Sequence, residues 1–244
     1  MSRSRRLWLP VVGLAASFHA ASACAEIVLG HTRAVYHTEN RDITLALSNT
    51  ARGPRLVQAW IDRADPQAGP GQAEAPFTVV PPVLRIEGGK STALRIAWVP
   101  QEQALPVHQE SVFWVNVLSV GPQAQHAQAG SVSFAFRTRI KLFVRPPGLP
   151  GKVEEAPAAL QWRLPDPGRA ELEVYNPTAY HVTLSRLSLM TDSAYTAADP
   201  PMVGPGQVLR IPLSGAALKA KGTARLSFSS IDDHGATQHH RLDL

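Results

Sequence analysis

The residues whose spacing could support chemistry form a glycine-rich turn and a group of histidines. Gly88-Gly89-Lys90-Ser91 is similar to the end of a phosphate-binding loop, in which backbone N–H groups and a lysine hold the phosphates. Such a loop needs another glycine five positions before Gly89, and Leu84 stands there. We therefore interpret this segment as a hairpin turn.

The histidines His234, His239 and His240 lie close enough in sequence to suggest a metal site, but no other ligand stands at a spacing typical of zinc. We expect a solvated C-terminal hairpin instead. The sequence contains neither a Gly-x-Ser-x-Gly elbow nor a His-Glu-x-x-His helix, and its Ser, His and Asp residues form no recognisable triad. We therefore predict no enzyme activity, no cofactor and no metal.

The first 25 residues have the pattern of a secretory signal peptide. Arg3, Arg5 and Arg6 form a basic start, an apolar run follows, and Ala23-Cys24-Ala25 provides a cleavage site of small residues. We expect cleavage near Ala25, a mature chain that begins at Glu26, a periplasmic location and no stable membrane insertion. Lipidation of Cys24 is the alternative, although Ala21 stands where that signal usually has leucine.

Cysteine content and charge narrow the classes of function. Cys24 is the only cysteine, so a chain cleaved after Ala25 has no disulfide and no thiol chemistry. The formal net charge is +5, and three arginines of the signal account for part of it, which leaves +2. A charge this small argues against a general nucleic-acid binder.

Short β-type runs separated by turn residues fill the rest of the chain, a pattern typical of antiparallel sandwiches. The first group of predicted strands comprises Ile27–Tyr36, Asp42–Ser48, Leu56–Ile61, Phe77–Arg85, Thr92–Trp98, Val112–Leu118 and Ser131–Val144. The second comprises Ala170–Tyr175, His181–Leu189, Gln207–Pro212, Ala224–Ser230 and Gln238–Leu242. A proline-rich stretch, 145–151, reads as a stiff connector between the two groups.

Four segments together resemble the periplasmic pilus-assembly chaperones of the chaperone–usher pathway, the PapD-like family. They are Thr32–Tyr36, Leu56–Asp62, Glu110–Val117 and Arg137–Pro146. The resemblance implies an all-β fold in which two immunoglobulin-like sandwich domains, 26–147 and 148–244, form a boomerang-shaped pair with an interdomain cleft. It also implies a chaperone that stabilises pilus subunits by donor-strand complementation and delivers them to an outer-membrane usher.

The resemblance places the donated strand in Ser131–Val144. Val132, Phe134 and Phe136 alternate along it, so they could enter successive pockets of a subunit groove. Alternation alone leaves a second interpretation open, in which the same residues line this protein's own core, because a period of two does not name the partner. The resemblance favours donation.

The resemblance also assigns residues to three further roles. Arg33 and Lys141 match two cleft cations that bind the C-terminal carboxylate of a subunit. The alternative is that both are solvated surface cations, and two matches in two distant motifs favour the cleft role. Glu110, Arg145 and Asp233 match an ionic network between the domains. The last assigned pair, Pro54 and Leu56, matches an apolar patch that faces the usher, although a Gly-Pro turn before a strand explains both residues as well.

The chain departs from the family pattern in two places. Val107-His108-Gln109 precedes Glu110 where an Asp-Arg pair is common, and Val144 replaces a common aromatic residue. These changes bear on local salt bridges and on the choice of subunit. A competing hypothesis is a periplasmic sandwich module that binds a carbohydrate or a protein without donating a strand, and self-association of the free chain is a further expectation.

Overall fold

The computed structural model describes residues 26–63, 65–72, 74–99, 104–122, 134–165, 171–214 and 224–244. Within these ranges the regular structure is β-strand apart from two short 3-10 turns, which confirms the predicted all-β class. No helix of the described ranges is long and apolar enough to cross a membrane. The predictions for the signal peptide, Cys24 and Val132 fall outside the described residues.

In the described part of residues 26–147, nine strands build the N-terminal sandwich. They are β1 (Ile27–Leu29), β2 (Arg33–His37), β3 (Asp42–Asn49), β4 (Arg55–Asp62), β5 (Phe77–Val80), β6 (Val83–Ile86), β7 (Ser91–Trp98), β8 (Ser111–Val120) and β9 (Ala135–Arg145). One sheet has the order β1-β3-β7-β5 and the other has the order β2-β9-β8-β4-β6. Alternate residues face inward, so that Phe113, Val115 and Val117 of β8 are buried between the sheets.

Two runs that we predicted as single strands each form two separate strands. The run Ile27–Tyr36 divides near Gly30, because β1 pairs with β3 in one sheet while β2 pairs with β9 in the other. The run Phe77–Arg85 divides at Pro81-Pro82 into β5 and β6, which also belong to different sheets. Proline lacks an N–H group for the ladder, so this pair interrupts the strand where the chain changes sheets.

The Gly88-Gly89 segment forms the turn between β6 and β7. The hairpin interpretation was wrong, because β6 pairs with β4 in one sheet and β7 pairs with β3 and β5 in the other, so the turn carries the chain from sheet to sheet. Gly89 has φ of +70°, a conformation that favours glycine. A Cβ atom on Gly88 would lie 2.2 Å from the carbonyl oxygen of Arg52, so only glycine fits there. Both glycines therefore serve backbone geometry.

Among the described residues after 147, eight strands build the C-terminal sandwich. They are β10 (Gln161–Arg163), β11 (Glu171–Tyr175), β12 (Val182–Met190), β13 (Ala194–Ala197), β14 (Met202–Val203), β15 (Val208–Pro212), β16 (Arg225–Ile231) and β17 (Thr237–Asp243). The order β10-β11-β15 forms one sheet, and β13-β12-β16-β17 forms the other, with β14 paired to β12. The sequence prediction missed β10, β13 and β14, which are too short to show alternation.

A second layer of side chains covers the outward face of the β2-β9-β8-β4-β6 sheet. The carboxylate of Asp62 accepts hydrogen bonds from Arg139 Nη2 at 2.5 Å and from Asn116 Nδ2 at 2.6 Å. The Arg139 guanidinium lies 4.2 Å from the ring centroid of Trp114, and Arg137 donates to Asn116 Oδ1. These contacts join β4, β8 and β9 outside the apolar core, and Asp62 is only 1% exposed.

We expect Asp62→Ala to lower the free energy of unfolding by about 3 kcal/mol, because it leaves a largely buried Arg139 charge without its partner. Denaturant unfolding followed by tryptophan fluorescence measures this change. The control Asp42→Ala removes an exposed pair with Arg95, whose N–O distance is 3.6 Å, and should cost less than about 0.5 kcal/mol. Equal effects of the two substitutions would contradict a structural role for the Asp62 network.

Candidate functional site

Two cations meet where β2 and β9 pair side by side. The parallel register places Arg33 directly opposite Lys141. Arg33 is 7% exposed, and its Nη1 donates to the carbonyl oxygen of Ile231 at 2.8 Å. Lys141 Nζ donates to Thr183 Oγ1 at 3.1 Å. Two residues that lie far apart in sequence are therefore adjacent at the junction of the domains, where each also touches the C-terminal domain.

The Arg33 and Lys141 charges are only partly compensated. Burial, reinforced by the neighbouring Arg33 charge and opposed by Asp199, lowers the pKa of Lys141 to about 8. Burial also lowers the pKa of Arg33, against the opposing effects of Asp233, Asp232 and Glu110. Arg33 Nε is buried without a hydrogen-bond partner among the described residues. An anion bound here would supply the missing charge and hydrogen bonds.

The N-terminal half of β9 has an open edge. β8 pairs with β9 from Ala135 to Val144, whereas β2 pairs with it only from Lys141 to Arg145. On the β2 side, no strand within the described ranges pairs with residues 135–140. Unpaired backbone groups of this kind are a template for another strand. The open edge ends where Arg33 and Lys141 stand.

Two aromatic side chains stand beside this open edge. Phe134 is 70% exposed and Phe136 is 54% exposed, and their ring centroids are 6.4 Å apart. They continue the face of the strand that carries the buried residues Ile140 and Leu142, because the period is two. The core-lining interpretation is therefore wrong for both phenylalanines: the strand extends past the sandwich that would cover them.

The predicted interdomain residues are in contact. Arg145 donates to Glu110 Oε1 through Nε at 2.9 Å and through Nη2 at 2.7 Å, and its Nη1 donates to Asp233 Oδ2 at 2.7 Å. Burial alone would lower the pKa of Arg145, but the hydrogen bonds and charges of Asp233 and Glu110 outweigh burial and raise it. The guanidinium thus connects β9, the segment before β8 and the turn after β16.

Sequence reasoning missed two residues at this junction. His181 donates its backbone N–H to Glu110 Oε2 at 2.9 Å, and its ring Nδ1 lies 3.1 Å from the same oxygen. Phe143 is 2% exposed although it shares the outward face of β9 with Lys141. Alternation along β9 could have identified Phe143 as an apolar residue on a face otherwise occupied by cations, but an isolated histidine gives no such signal.

Leu56 lies in β4 and Pro54 directly precedes this strand, toward the edge of the β2-β9-β8-β4-β6 sheet that is opposite to β2. Leu56 belongs to β4, which β8 separates from β9, and it is 53% exposed. Val83 on the neighbouring β6 is 49% exposed. The structure therefore places an apolar surface at β4 and β6, apart from Arg33, Lys141 and the open edge.

The C-terminal histidines are engaged with serines of the neighbouring strand. A 2.9 Å contact joins His239 Nδ1 to Ser229 Oγ, and another of the same length joins His240 Nε2 to Ser230 Oγ. The ring of His240 also stacks on Phe228, with centroids 4.6 Å apart. Across the described parts of the chain, no group of three or more His, Cys, Asp and Glu side chains could hold a metal ion.

Two family models match this chain. The first, described as Pili and flagellar-assembly chaperone, PapD N-terminal domain, matches residues 26–150. The second, described as Pili assembly chaperone PapD, C-terminal domain, matches residues 155–242. The chain therefore belongs to the family of pili-assembly chaperones, which confirms the family predicted from the sequence motifs.

Individual relatives cover nearly the same length. Chaperone protein FimB/FhaD of Bordetella pertussis is 37% identical over 246 residues, which cover 98% of this chain and 97% of that protein. Probable fimbrial chaperone YadV of Escherichia coli is 37% identical over 219 residues, 88% of each. The crystal structure of the YadV chaperone matches with a TM-score of 0.78 and 35% identity, and it covers 90% of this chain and 100% of that one. The predicted pair of sandwich domains is confirmed.

Lys141 should titrate far below ordinary lysines. Its pKa of about 8 in the folded chain, against an ordinary 10.5, means that the unfolded chain binds more protons between these two pH values. This residue therefore makes folding less favourable below pH 8, and that penalty fades as the pH rises from 8 to 10.5. Nuclear magnetic resonance of 13Cε-labelled lysine should show one midpoint near 8 that Lys141→Met removes. A midpoint above 10 for this signal would contradict the assignment.

Proposed function

We propose that this protein is a periplasmic chaperone that captures pilus subunits by lending them part of β9. The observation that supports this proposal is the open edge at residues 135–140, which has two exposed phenylalanines beside it and two cations at its end. An extended strand that pairs with this edge satisfies its backbone groups and gains apolar contacts from alternate side chains. An incomplete sandwich that lacks one strand is the partner that such an edge fits.

The position of the cations sets the direction of the captured strand. A strand added along residues 135–140 lies end to end with β2, which starts at Arg33 opposite Lys141. Its terminus at that point meets two positive charges, so a C-terminal carboxylate is favoured there. The captured strand therefore runs parallel to β9 and ends at the cleft. Arg33 and Lys141 act as its anchor and fix its register.

The aromatic side chains supply apolar contact energy. In this proposal Phe134 and Phe136, together with Val132, enter successive pockets of the subunit groove. Each burial contributes about 1.5–3 kcal/mol before the cost of ordering is subtracted. The core face of β9 then continues into the core of the subunit, which lacks a strand of its own.

The remaining predicted residues complete the proposal. Domains 26–147 and 148–244 are held at a working angle by Glu110, Arg145 and Asp233. Pro54 and Leu56 face the usher on a surface that stays accessible when the edge of β9 is occupied. Export with cleavage near Ala25 delivers the chain to the periplasm. In the free chain the open edge accepts a second copy, which gives reversible self-association.

Co-expression with pilins of the source organism tests the function. We expect a soluble one-to-one complex that protects the pilin from proteolysis. Arg33→Ala and Lys141→Ala should each abolish the complex, because each removes a charge-assisted contact to the subunit carboxylate. The control substitutions Arg85→Ala and Lys152→Ala remove exposed cations elsewhere and should retain it.

The two possible failures are distinguishable in this experiment. If the parent protein forms no complex with any pilin, the proposed function is wrong. If the parent forms the complex and the Arg33 and Lys141 variants form it equally well, the anchor assignment is wrong while the function stands.

The role of the exposed aromatic residues can be tested separately. Phe134→Asp should weaken pilin capture roughly ten- to hundredfold, because one apolar pocket contact is lost. The free protein should keep its unfolding midpoint, since Phe134 is already 70% exposed. Val208→Asp alters a similarly exposed residue of β15 and serves as the control for charge and polarity. Unchanged capture by Phe134→Asp would rule out the donated strand.

A further inference from the structure

Phe143 is close to one side chain of each domain near the anchor. Its ring centroid is 6.0 Å from that of His181, with the two rings tilted by 45°, and 5.7 Å from the Arg33 guanidinium carbon. Phe143 is 2% exposed although it points away from the core of its own sandwich. His181 of the C-terminal domain is among the residues that pack near it.

Apart from its contact with Phe143, Arg33 has few restraints on its guanidinium. Among the described residues its guanidinium donates one hydrogen bond, from Nη1 to Ile231, and Nε has no partner. A long arginine side chain loses considerable rotamer freedom when it binds a carboxylate. A ring fixed against the guanidinium face reduces that loss beforehand, because arginine stacks well on aromatic surfaces. The anchor is thereby preorganised.

His181 is itself fixed on two sides. Its backbone N–H and ring Nδ1 both meet Glu110 Oε2, at 2.9 Å and 3.1 Å. A Cβ atom added to Gly204 would lie 3.6 Å from His181 Nε2, so the backbone of that loop is close to the ring. These contacts restrain the imidazole on the side of the junction where it meets Phe143.

We propose that His181 is a positioning residue for subunit capture, whose ring holds Arg33 through Phe143. The inference rests on the proposed function, because it gives the C-terminal domain a part in aligning the carboxylate anchor. His181 does not touch the subunit. It sets the geometry of the residue that does.

The test uses a peptide with the last strand of a captured pilin, made once as a free acid and once as a C-terminal amide. Only the free acid can use the Arg33 anchor fully. His181→Ala should weaken free-acid binding five- to tenfold and change amide binding less than twofold. His181→Phe keeps an aromatic ring against Phe143 and should bind both peptides within twofold of the parent.

A double-mutant cycle locates the effect. In an Arg33→Ala background, His181→Ala should cause no further loss of free-acid affinity, because the residue acts through Arg33. Equal weakening of acid and amide binding by His181→Ala would indicate a merely structural role and overturn the inference. So would parent-like binding by His181→Ala, or a loss in His181→Phe as large as that in His181→Ala.

Failure of the proposed function has a different signature. If the parent protein binds the free acid and the amide equally, there is no carboxylate anchor to position, so the anchor assignment and the positioning role are both wrong while strand capture stands. If the parent binds neither peptide, the proposed function is wrong as well. If the parent prefers the free acid, and His181→Ala and His181→Phe bind the peptides with the same affinity as each other, the proposed function stands and only the positioning role is wrong.

Discussion

Strand β2 pairs with β9 only from Lys141 to Arg145, and this short parallel contact determines the arrangement of the whole cleft. It brings Arg33 and Lys141 side by side because they are the first pair in the register. It leaves residues 135–140 without a partner on that side among the described strands. If β2 began several residues earlier in the register, it would cover the edge and displace the cations from its end. The break between β1 and β2 is therefore as important to the site as the residues themselves.

The carboxylates at the domain junction are hydrogen-bonded to Arg145 and to backbone groups. Glu110 and Asp233 are both engaged by Arg145, and Asp232 accepts hydrogen bonds from the backbone of its own turn. Arg33 therefore feels these carboxylates only at a distance, and the carboxylate that acts on Lys141 is Asp199, while both cations bear the cost of burial. Removing charge from water without a close partner is unfavourable. An anion bound at the junction would offset that cost.

The two faces of β9 show what the sequence could predict. Alternation identified one face with Val132, Phe134 and Phe136, and the family resemblance assigned that face to donation and Lys141 to the anchor. Alternation could not show that the apolar face extends beyond its own sandwich, because exposure depends on where the opposite sheet ends. It could not find the contact between His181 and Glu110 either, since that contact joins two domains across 71 positions of sequence.

The strand prediction missed short strands and joined separate ones because tertiary pairing decides where a strand begins and ends. β14 has two residues and β10 has three, so neither is long enough for a period of two to appear. Pro81-Pro82 does interrupt the ladder, but a proline pair in sequence is equally compatible with an edge strand. Only the pairing of strands in the folded chain distinguishes a divided run from an edge strand. The sequence motifs near the cleft carry no information about that pairing.

The layer formed by Asp62, Asn116, Arg137 and Arg139 explains how β9 can remain extended beside an open edge. An unpaired strand that carried only exposed phenylalanines would gain from bending back or from pairing with other chains. Here the side chains of its opposite face are fixed by a buried carboxylate and by two tryptophan rings, at 4.2 Å from Arg139 to Trp114 and 4.8 Å from Arg137 to Trp60. Contacts on one face therefore hold the backbone straight while the other face and the edge stay available. A strand held in this way loses little conformational entropy when it pairs, so more of the contact energy appears as affinity for the partner.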